Sequence, residues 1–199
     1  MKKKDLIAAT IIGVSCGIIF ILVSRVLELP DIVLKVSRFS PIILPLLSIL
    51  GIYFVSIASE KFPTIFQMAK SFLVGILNTF IDLGILNLLM WVFTFVAGWQ
   101  YTVFKGISFT TSIINSYFWS KFWVFEEKEK PKTKQFGKFY TVALVGLLIH
   151  LITASFVVNI IGPQFGLDTK LWANIGGIAA AFAGFLWNFF GYKLLVFKK

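Results

Sequence analysis

The chain has 199 residues, of which 58% are hydrophobic and 14% are charged, and its mean hydropathy is +0.88. A soluble domain usually carries about 25% charged residues, so this composition excludes an ordinary soluble domain. The net charge of +10 does not indicate nucleic acid as a partner. The lysines cluster beside apolar stretches, where positive charge sets orientation in a membrane. The sequence therefore predicts an all-α integral membrane protein.

Six apolar stretches are each long enough to cross about 30 Å of hydrocarbon as a helix. They cover residues 6–27, 40–58, 70–97, 102–125, 138–161 and 171–197. Five of the six prolines lie in or beside the predicted loops, where the missing N–H group is harmless, and Pro45 lies one turn inside the second predicted helix. If both termini are cytoplasmic, fourteen of the nineteen Lys and Arg residues lie on the cytoplasmic side. The positive-inside rule favours that multi-pass orientation.

The first two predicted helices form an amino-terminal hairpin with no charged residue in its apolar cores. Residues 24–40, which connect them, mix charged and apolar side chains and indicate an interfacial helix on the outer surface. Cys16 is the single cysteine, and we interpret it as a packing residue. We assign the hairpin with its outer segment to residues 1–62, and the other four helices to a domain of residues 63–199.

The last four predicted helices contain an internal repeat, in which residues 70–125 align with residues 138–197. Both copies carry Val-Gly near the start and end in Lys-x-x-Val-Phe, which begins at Lys121 in the first copy and at Lys193 in the second. Each copy is an in-out hairpin, so the two have the same orientation, as in transporters built from parallel repeats around a central site. Chance similarity between apolar hairpins is the alternative, and the matched ends argue against it.

A series of motifs follows one order along these four helices. It comprises Phe72-Leu73-Val74-Gly75, Asn78-Thr79, Asp82, Ile107-Ser108-Phe109, Asn115, residues 121–125, Val145-Gly146, Asn188 and residues 193–197. In these features residues 70–197 resemble the GtrA-like family of small membrane proteins. The resemblance implies translocation of a polyprenyl-phosphate-linked sugar from the cytoplasmic to the outer leaflet of a bacterial cell membrane. Glycosyltransferases that decorate O-antigen, teichoic acid or arabinan-type polymers would use that lipid.

The sequence departs from the family pattern in two respects. It has the additional amino-terminal hairpin, and its second copy lacks the Asn-Thr-x-x-Asp set that the first copy carries at Asn78, Thr79 and Asp82. The two copies are therefore not chemically equivalent.

Asp82 is the most informative residue of the third predicted helix. It shares one face with Gly75, Asn78 and Thr79, because their spacings are three and four residues. It lies about 18 Å from the cytoplasmic end, and an aspartate near the bilayer centre costs about 2.5–3.5 kcal/mol to insert. Asp82 is thus a functional candidate with a partner or a wet cavity. The alternative is a protonated Asp82 that hydrogen-bonds a neighbouring helix.

His150, the single histidine, lies at a similar predicted depth. A pair of Asp82 and His150 would titrate and couple transport to protons. The alternative is a neutral histidine that bonds to a helix backbone.

Lys121 and Lys193 occupy equivalent positions just inside the predicted interface, where lysine binds phosphate as a point charge. We predict that they hold the lipid phosphate and that deeper amides contact sugar hydroxyls. The alternative is snorkelling of these lysines to the head groups. The predicted translocation pathway comprises Asn78, Thr79, Asp82, Ser112, Asn115, Trp119 and Asn188.

The sequence contains no metal-ligand cluster, no nucleophile with a base at recognisable spacing and no glycine-rich phosphate loop. We therefore expect no enzyme activity, no cofactor and no metal. The leading interpretation is a lipid flippase whose partners are the sugar lipid and membrane glycosyltransferases. Four repeat helices enclose little space, which favours a homodimer. Two alternatives stay open: a membrane scaffold that recruits or stabilises a glycosyltransferase, and a small proton-coupled exporter that binds hydrophobic cations at Asp82.

Overall fold

The computed structural model describes residues 2–27, 29–59, 62–94, 98–166 and 169–197. In these ranges the regular elements are all helices, which confirms the all-α prediction. The α-helices are α1 (Lys3–Val26), α2 (Asp31–Ser37), α3 (Ser40–Ala58), α4 (Pro63–Phe93), α5 (Gly98–Trp119), α6 (Thr133–Ser155) and α7 (Thr169–Gly191), and π-helical turns follow at Ser120–Val124, Phe156–Ile161 and Tyr192–Val196.

Five helical segments in the described part of the chain are long and apolar enough to cross a membrane. They are Lys3–Val26, Ser40–Ala58, Pro63–Phe93, Thr133–Ile161 and Ile178–Val196. Among the described helices of similar length, α5 falls outside this set; it carries Lys105 and a series of Ser, Thr and Asn side chains. The structure therefore supports five spanning helices, and a sixth span at α5 stays a prediction.

The chain divides into two compact units, Met1–Glu127 and Lys128–Lys199. This is a division by packing, and the predicted sequence boundary at residue 62 stays a prediction. The short helix α2 lies within the segment that was predicted to be interfacial.

In the first unit, α1 and α3 approach each other closely at two glycines of α1. A Cβ atom added at Gly13 would lie 2.4 Å from Pro45 Cα, and one added at Gly17 would lie 2.6 Å from Pro41 Cα. The Ser40 hydroxyl donates a hydrogen bond to the Gly17 carbonyl at 2.8 Å. Small residues allow such close backbone contact between helices in membranes, so these glycines determine the packing of the amino-terminal hairpin.

Helix α1 also packs along α4 in the same direction. Phe20 and Phe80 meet edge to face, with ring centroids 6.2 Å apart. A Cβ atom at Gly84 would lie 2.8 Å from Ile19 Cγ2. The amino-terminal hairpin thereby supports one side of α4, and α5 packs on α4 as well.

In the second unit, α6 and α7 form an antiparallel hairpin. Phe139 stacks on Tyr192 with ring centroids 3.8 Å apart, and a Cβ atom at Gly191 would lie 2.6 Å from Val142 Cγ1. The hairpin ends in the π-helical turn Tyr192–Val196, and the α4–α5 hairpin ends in the turn Ser120–Val124. The two turns are 72 residues apart, and the repeat architecture stays a prediction.

Candidate functional site

Asp82 lies at the centre of a charged cluster between α4 and α5. The Lys105 ammonium donates to one carboxylate oxygen of Asp82, and the Ser108 hydroxyl donates to the other at 2.7 Å. Ser108 is fully buried, whereas the side chains of Asp82 and Lys105 are 19% and 42% exposed. The sequence left open whether Asp82 has a partner or lies in a wet cavity. In the structure it has a partner from the neighbouring helix, the Lys105 cation.

A second polar contact joins the same two helices one turn along α4. The Asn115 side chain donates from Nδ2 to Asn78 Oδ1 at 2.8 Å. Asn78 lies four residues before Asp82, so both residues use the same face of α4. The structure thus brings three of the predicted pathway residues together between two helices.

Two other predicted pathway residues bond within their own helices. Thr79 Oγ1 donates to the Gly75 carbonyl at 3.1 Å, and Ser112 Oγ donates to the Phe109 carbonyl at 2.8 Å. Thr79 is exposed and Ser112 is buried. The structure therefore shows neither side chain in a hydrogen bond to the neighbouring helix, within the residues that it describes.

The polar residues of α5 form a continuous line on one face of the helix. The line consists of Lys105, Ser108, Ser112, Asn115 and Trp119, which are spaced by three and four residues. It extends over about 21 Å at the usual helical rise. At its far end Trp119 packs edge-on against Trp123, with ring centroids 5.7 Å apart.

Lys121 follows this line within the π-helical turn. Its side chain is fully buried, so the snorkelling alternative is wrong for this lysine. Lys193, in the corresponding turn of the second unit, is half-buried and its ammonium lies 5.8 Å from the centre of the Phe189 ring. π-Helical turns often occur at functional sites because they redirect side chains from the regular helical positions. The two lysines share a turn type and differ in their environment.

A second ion pair lies at the Lys70 end of α4. Lys70 Nζ lies 2.6 Å from Asp5 Oδ1, and the side chains are 3% and 1% exposed. Trp123 Nε1 donates to the same Asp5 oxygen at 3.0 Å, and the Lys70 ammonium lies 4.6 Å from the centre of the Phe66 ring. The sequence analysis missed this pair, in which the Trp123 indole is buried against the Asp5 carboxylate.

Glu126 extends this cluster toward the amino terminus. Its carboxylate lies 2.7 Å from the Lys4 ammonium, 3.6 Å from that of Lys2 and 3.7 Å from that of Lys70. The hydrogen bond from Lys4, together with the nearby positive charges, holds the pKa of Glu126 below its ordinary value of 4.5.

In the second unit, the Asn188 side chain packs against Gly146, since a Cβ atom added at Gly146 would lie 2.2 Å from Asn188 Oδ1. This buried oxygen accepts no hydrogen bond from the described residues. His150 is half-buried beside Gly184, whose added Cβ would lie 3.5 Å from His150 Cβ. Asp82 and His150 belong to different units, and their predicted pairing stays a prediction.

Lys105 is a site residue that the sequence analysis did not single out. Two signals point to it in retrospect. A carboxylate near the middle of a spanning helix requires a cation, and Lys105 precedes Ser108 by three residues on the face that also carries Asn115.

The helices are long and apolar, and α4 and α5 place the Asp82–Lys105 ion pair and the Asn78–Asn115 hydrogen bond between them. These features define a multi-pass membrane protein with a polar line between two of its helices. Residues 70–197 match the family model of the GtrA/DPMS transmembrane domain. The match covers more than half of the chain, and the protein belongs to this family, as its resemblance predicted.

The chain is also similar to the Bacillus subtilis (strain 168) protein named Uncharacterized membrane protein YngA. The two are 31% identical over 124 residues, which covers 62% of this chain and 74% of the relative. No solved structure matches the chain.

Proposed function

We propose that this protein moves a polyprenyl-phosphate-linked sugar from the cytoplasmic to the outer leaflet of a bacterial plasma membrane. Family membership supports this proposal, and the polar line on α5 is the observation that carries it. Moving sugar hydroxyls through hydrocarbon without hydrogen bonds is costly. A line of hydroxyl and amide groups lowers that cost while the isoprenoid tail stays in the bilayer.

The proposal gives each group of polar residues a role. Lys121 and Lys193 hold the lipid phosphate at the cytoplasmic ends of the two repeat hairpins, and the buried Lys121 side chain is uncovered when the lipid enters. Asn78, Asn115 and Asn188 exchange hydrogen bonds with sugar hydroxyls. The Asn188 oxygen is suited to this role because a buried unpaired acceptor costs about 1–3 kcal/mol, which a passing hydroxyl donor would relieve.

The same proposal covers the orientation of the protein in the membrane, its oligomeric state and its partners. Both termini lie in the cytoplasm, as the distribution of Lys and Arg favours. The protein acts as a homodimer and forms no covalent bond with its cargo. Membrane glycosyltransferases consume the lipid in the outer leaflet, and this consumption pulls the transport forward.

Transbilayer movement of a polyprenyl-phosphate sugar in proteoliposomes tests the proposal. The native chain is compared with the double variant Lys121→Met, Lys193→Met and with Lys138→Met, a matched control at an exposed lysine. We expect the double variant to lose at least about tenfold in rate, which corresponds to about 1.4 kcal/mol, and the control to keep the native rate. An inert native protein, or an unimpaired double variant that folds normally, would refute the proposal.

One observation favours the scaffold as a second candidate. The Asn78–Asn115 hydrogen bond and the contacts of Asp82 with Lys105 and Ser108 are complete within the helix pair, as structural packing requires. A scaffold would bind a glycosyltransferase but would not move the sugar lipid across the bilayer. The same proteoliposome assay therefore separates the two functions.

The exporter alternative makes a different demand on Asp82. A hydrophobic cation would have to compete with the tethered Lys105 ammonium for the carboxylate. The proton-coupling hypothesis is tested separately by His150→Gln, which must change the pH dependence of transport if His150 carries protons.

A further inference from the structure

Two ion pairs in the described part of the chain join an aspartate to a lysine, and they differ in exposure. In the pair of Asp5 and Lys70 the side chains are 1% and 3% exposed. In the pair of Asp82 and Lys105 they are 19% and 42% exposed. A pair that serves only structure is best sealed, because exposing a charge to hydrocarbon is costly. The Lys105 side chain is instead 42% exposed, so a second anion can approach it.

Ser108 makes the Asp82–Lys105 contact exchangeable. Its hydroxyl donates to Asp82 at 2.7 Å, and the residue is fully buried. If the Lys105 side chain turns away, the carboxylate keeps this hydrogen bond. Breaking the ion pair therefore does not leave Asp82 without a donor, which lowers the cost of releasing Lys105.

The position of Lys105 complements that of Lys121. Sixteen residues of one helical hairpin arm separate them, which corresponds to about 24 Å of a hydrocarbon layer about 30 Å thick. Ser108, Ser112 and Asn115 lie between them on the same face of α5. The line thus starts at the cation Lys105, and the cation Lys121 follows beyond its other end. Lys105 lies farther from the predicted cytoplasmic end, and Asp82 holds it.

We infer that Lys105 is a second binding site for the lipid phosphate, in the half of α5 opposite Lys121, and that Asp82 is a built-in competitor that displaces the phosphate from it. This inference rests on the proposed function. The phosphate and the carboxylate compete for one ammonium group, and the carboxylate has the higher effective concentration because it is tethered. The return of Asp82 to Lys105 releases the lipid.

Binding measurements on the purified full chain in detergent test the inference, with a short-chain isoprenyl phosphate as the probe. Because Lys121 and Lys193 would bind the same probe, binding is compared in chains that all carry Lys121→Met and Lys193→Met. In that background Lys105→Gln should weaken binding at least about tenfold. Asp82→Asn should tighten it: if Asp82 holds Lys105 about nine-tenths of the time, removing the competitor strengthens apparent affinity about tenfold. As a single change in the otherwise native chain, Asp82→Asn should move lipid more slowly in proteoliposomes, because release is impaired.

Opposite changes in affinity are the result that a purely structural ion pair would not give. The inference is overturned if both variants weaken binding, or if both bind as the native chain does. Inorganic phosphate is titrated in parallel, and equal affinity for it would overturn the assignment to a lipid. Lys70→Met serves as the matched control, since it breaks the sealed pair and should not tighten binding.

Two further measurements keep the result interpretable. Lys105→Arg preserves the charge and the pair and should bind within about threefold of the native chain, even if Lys105→Gln fails to fold. If Lys105→Gln and Asp82→Asn change affinity in opposite directions but the native chain moves no lipid, the proposed function is refuted and the Lys105 site stands. A native chain that moves lipid while Lys105→Gln binds normally would refute the Lys105 site alone.

Discussion

The buried pair of Asp5 and Lys70 provides the sharpest stability prediction. Removing one partner of a buried ion pair costs about 3–5 kcal/mol, because the other charge is left uncompensated. Lys70→Met leaves the carboxylate with the Trp123 indole at 3.0 Å and the Lys2 backbone N–H at 3.0 Å. Asp5→Asn leaves the ammonium with Glu126 at 3.7 Å. Each single change should therefore lie near the lower limit, at about 3 kcal/mol.

The double variant Asp5→Asn, Lys70→Met removes both charges and should cost little more than one single change. The coupling between the two sites is then at least about 2 kcal/mol. Reversible unfolding in mixed micelles of a mild detergent and dodecyl sulfate measures all four free energies. The control is Glu129→Gln, which breaks an ion pair of the same 2.6 Å length whose side chains are 63% and 66% exposed. An exposed pair contributes about 0–1 kcal/mol.

The reasoning fails if the single variants lose no more stability than Glu129→Gln does. It fails equally if the two single effects simply add in the double variant. Either result would mean that water or lipid head groups reach the pair and that its burial has no energetic effect.

Two other predictions concern packing and pH. Gly13→Leu should unfold the amino-terminal hairpin or strongly lower the thermal unfolding midpoint, because its Cβ would lie 2.4 Å from Pro45 Cα. Gly51→Leu is the control and should be tolerated, because no described atom lies within 4 Å of its Cβ position. Because the pKa of Glu126 is lowered in the folded state, its contribution to stability is present above pH 4.5 and is lost as the pH falls below that value. Stability differences between the native chain and Glu126→Gln, measured from neutral pH down to about pH 3, should therefore vanish at the acid end and stay constant near neutrality.

The helices could be predicted from local sequence because hydropathy and proline are local signals. The predicted span 40–58 coincides with α3. Helix α4 begins at Pro63, seven residues before the predicted start, because proline is favoured in the first turn and polar residues such as Gln67 continue a helix beyond the apolar run. The π-helical turns were not predicted, since their backbone pattern depends on contacts that the local sequence does not report.

The candidate site was only partly predictable for a similar reason. The spacing of Asn78 and Asp82 identified the face of α4 that contacts α5. The partners of the charged residues were missed, because counting positive charges assigns every lysine to a surface. Lys70 is instead 3% exposed and Lys121 is fully buried. Which lysine leaves the surface depends on the carboxylate and the rings that a folded chain brings to it.

The asymmetry between the two copies bears on how transport would be directed. The terminal Lys-x-x-Val-Phe occurs in both copies, so the proposed function provides two phosphate-binding lysines at the cytoplasmic end. At the alignment offset of 71 to 72 residues, Asp82 corresponds to Thr153 and Ser108 to Ala180. The competing carboxylate is therefore present in the first copy alone. On the proposed mechanism, two sites bind the lipid phosphate at the cytoplasmic end, and a single site exchanges it beyond the middle of the membrane.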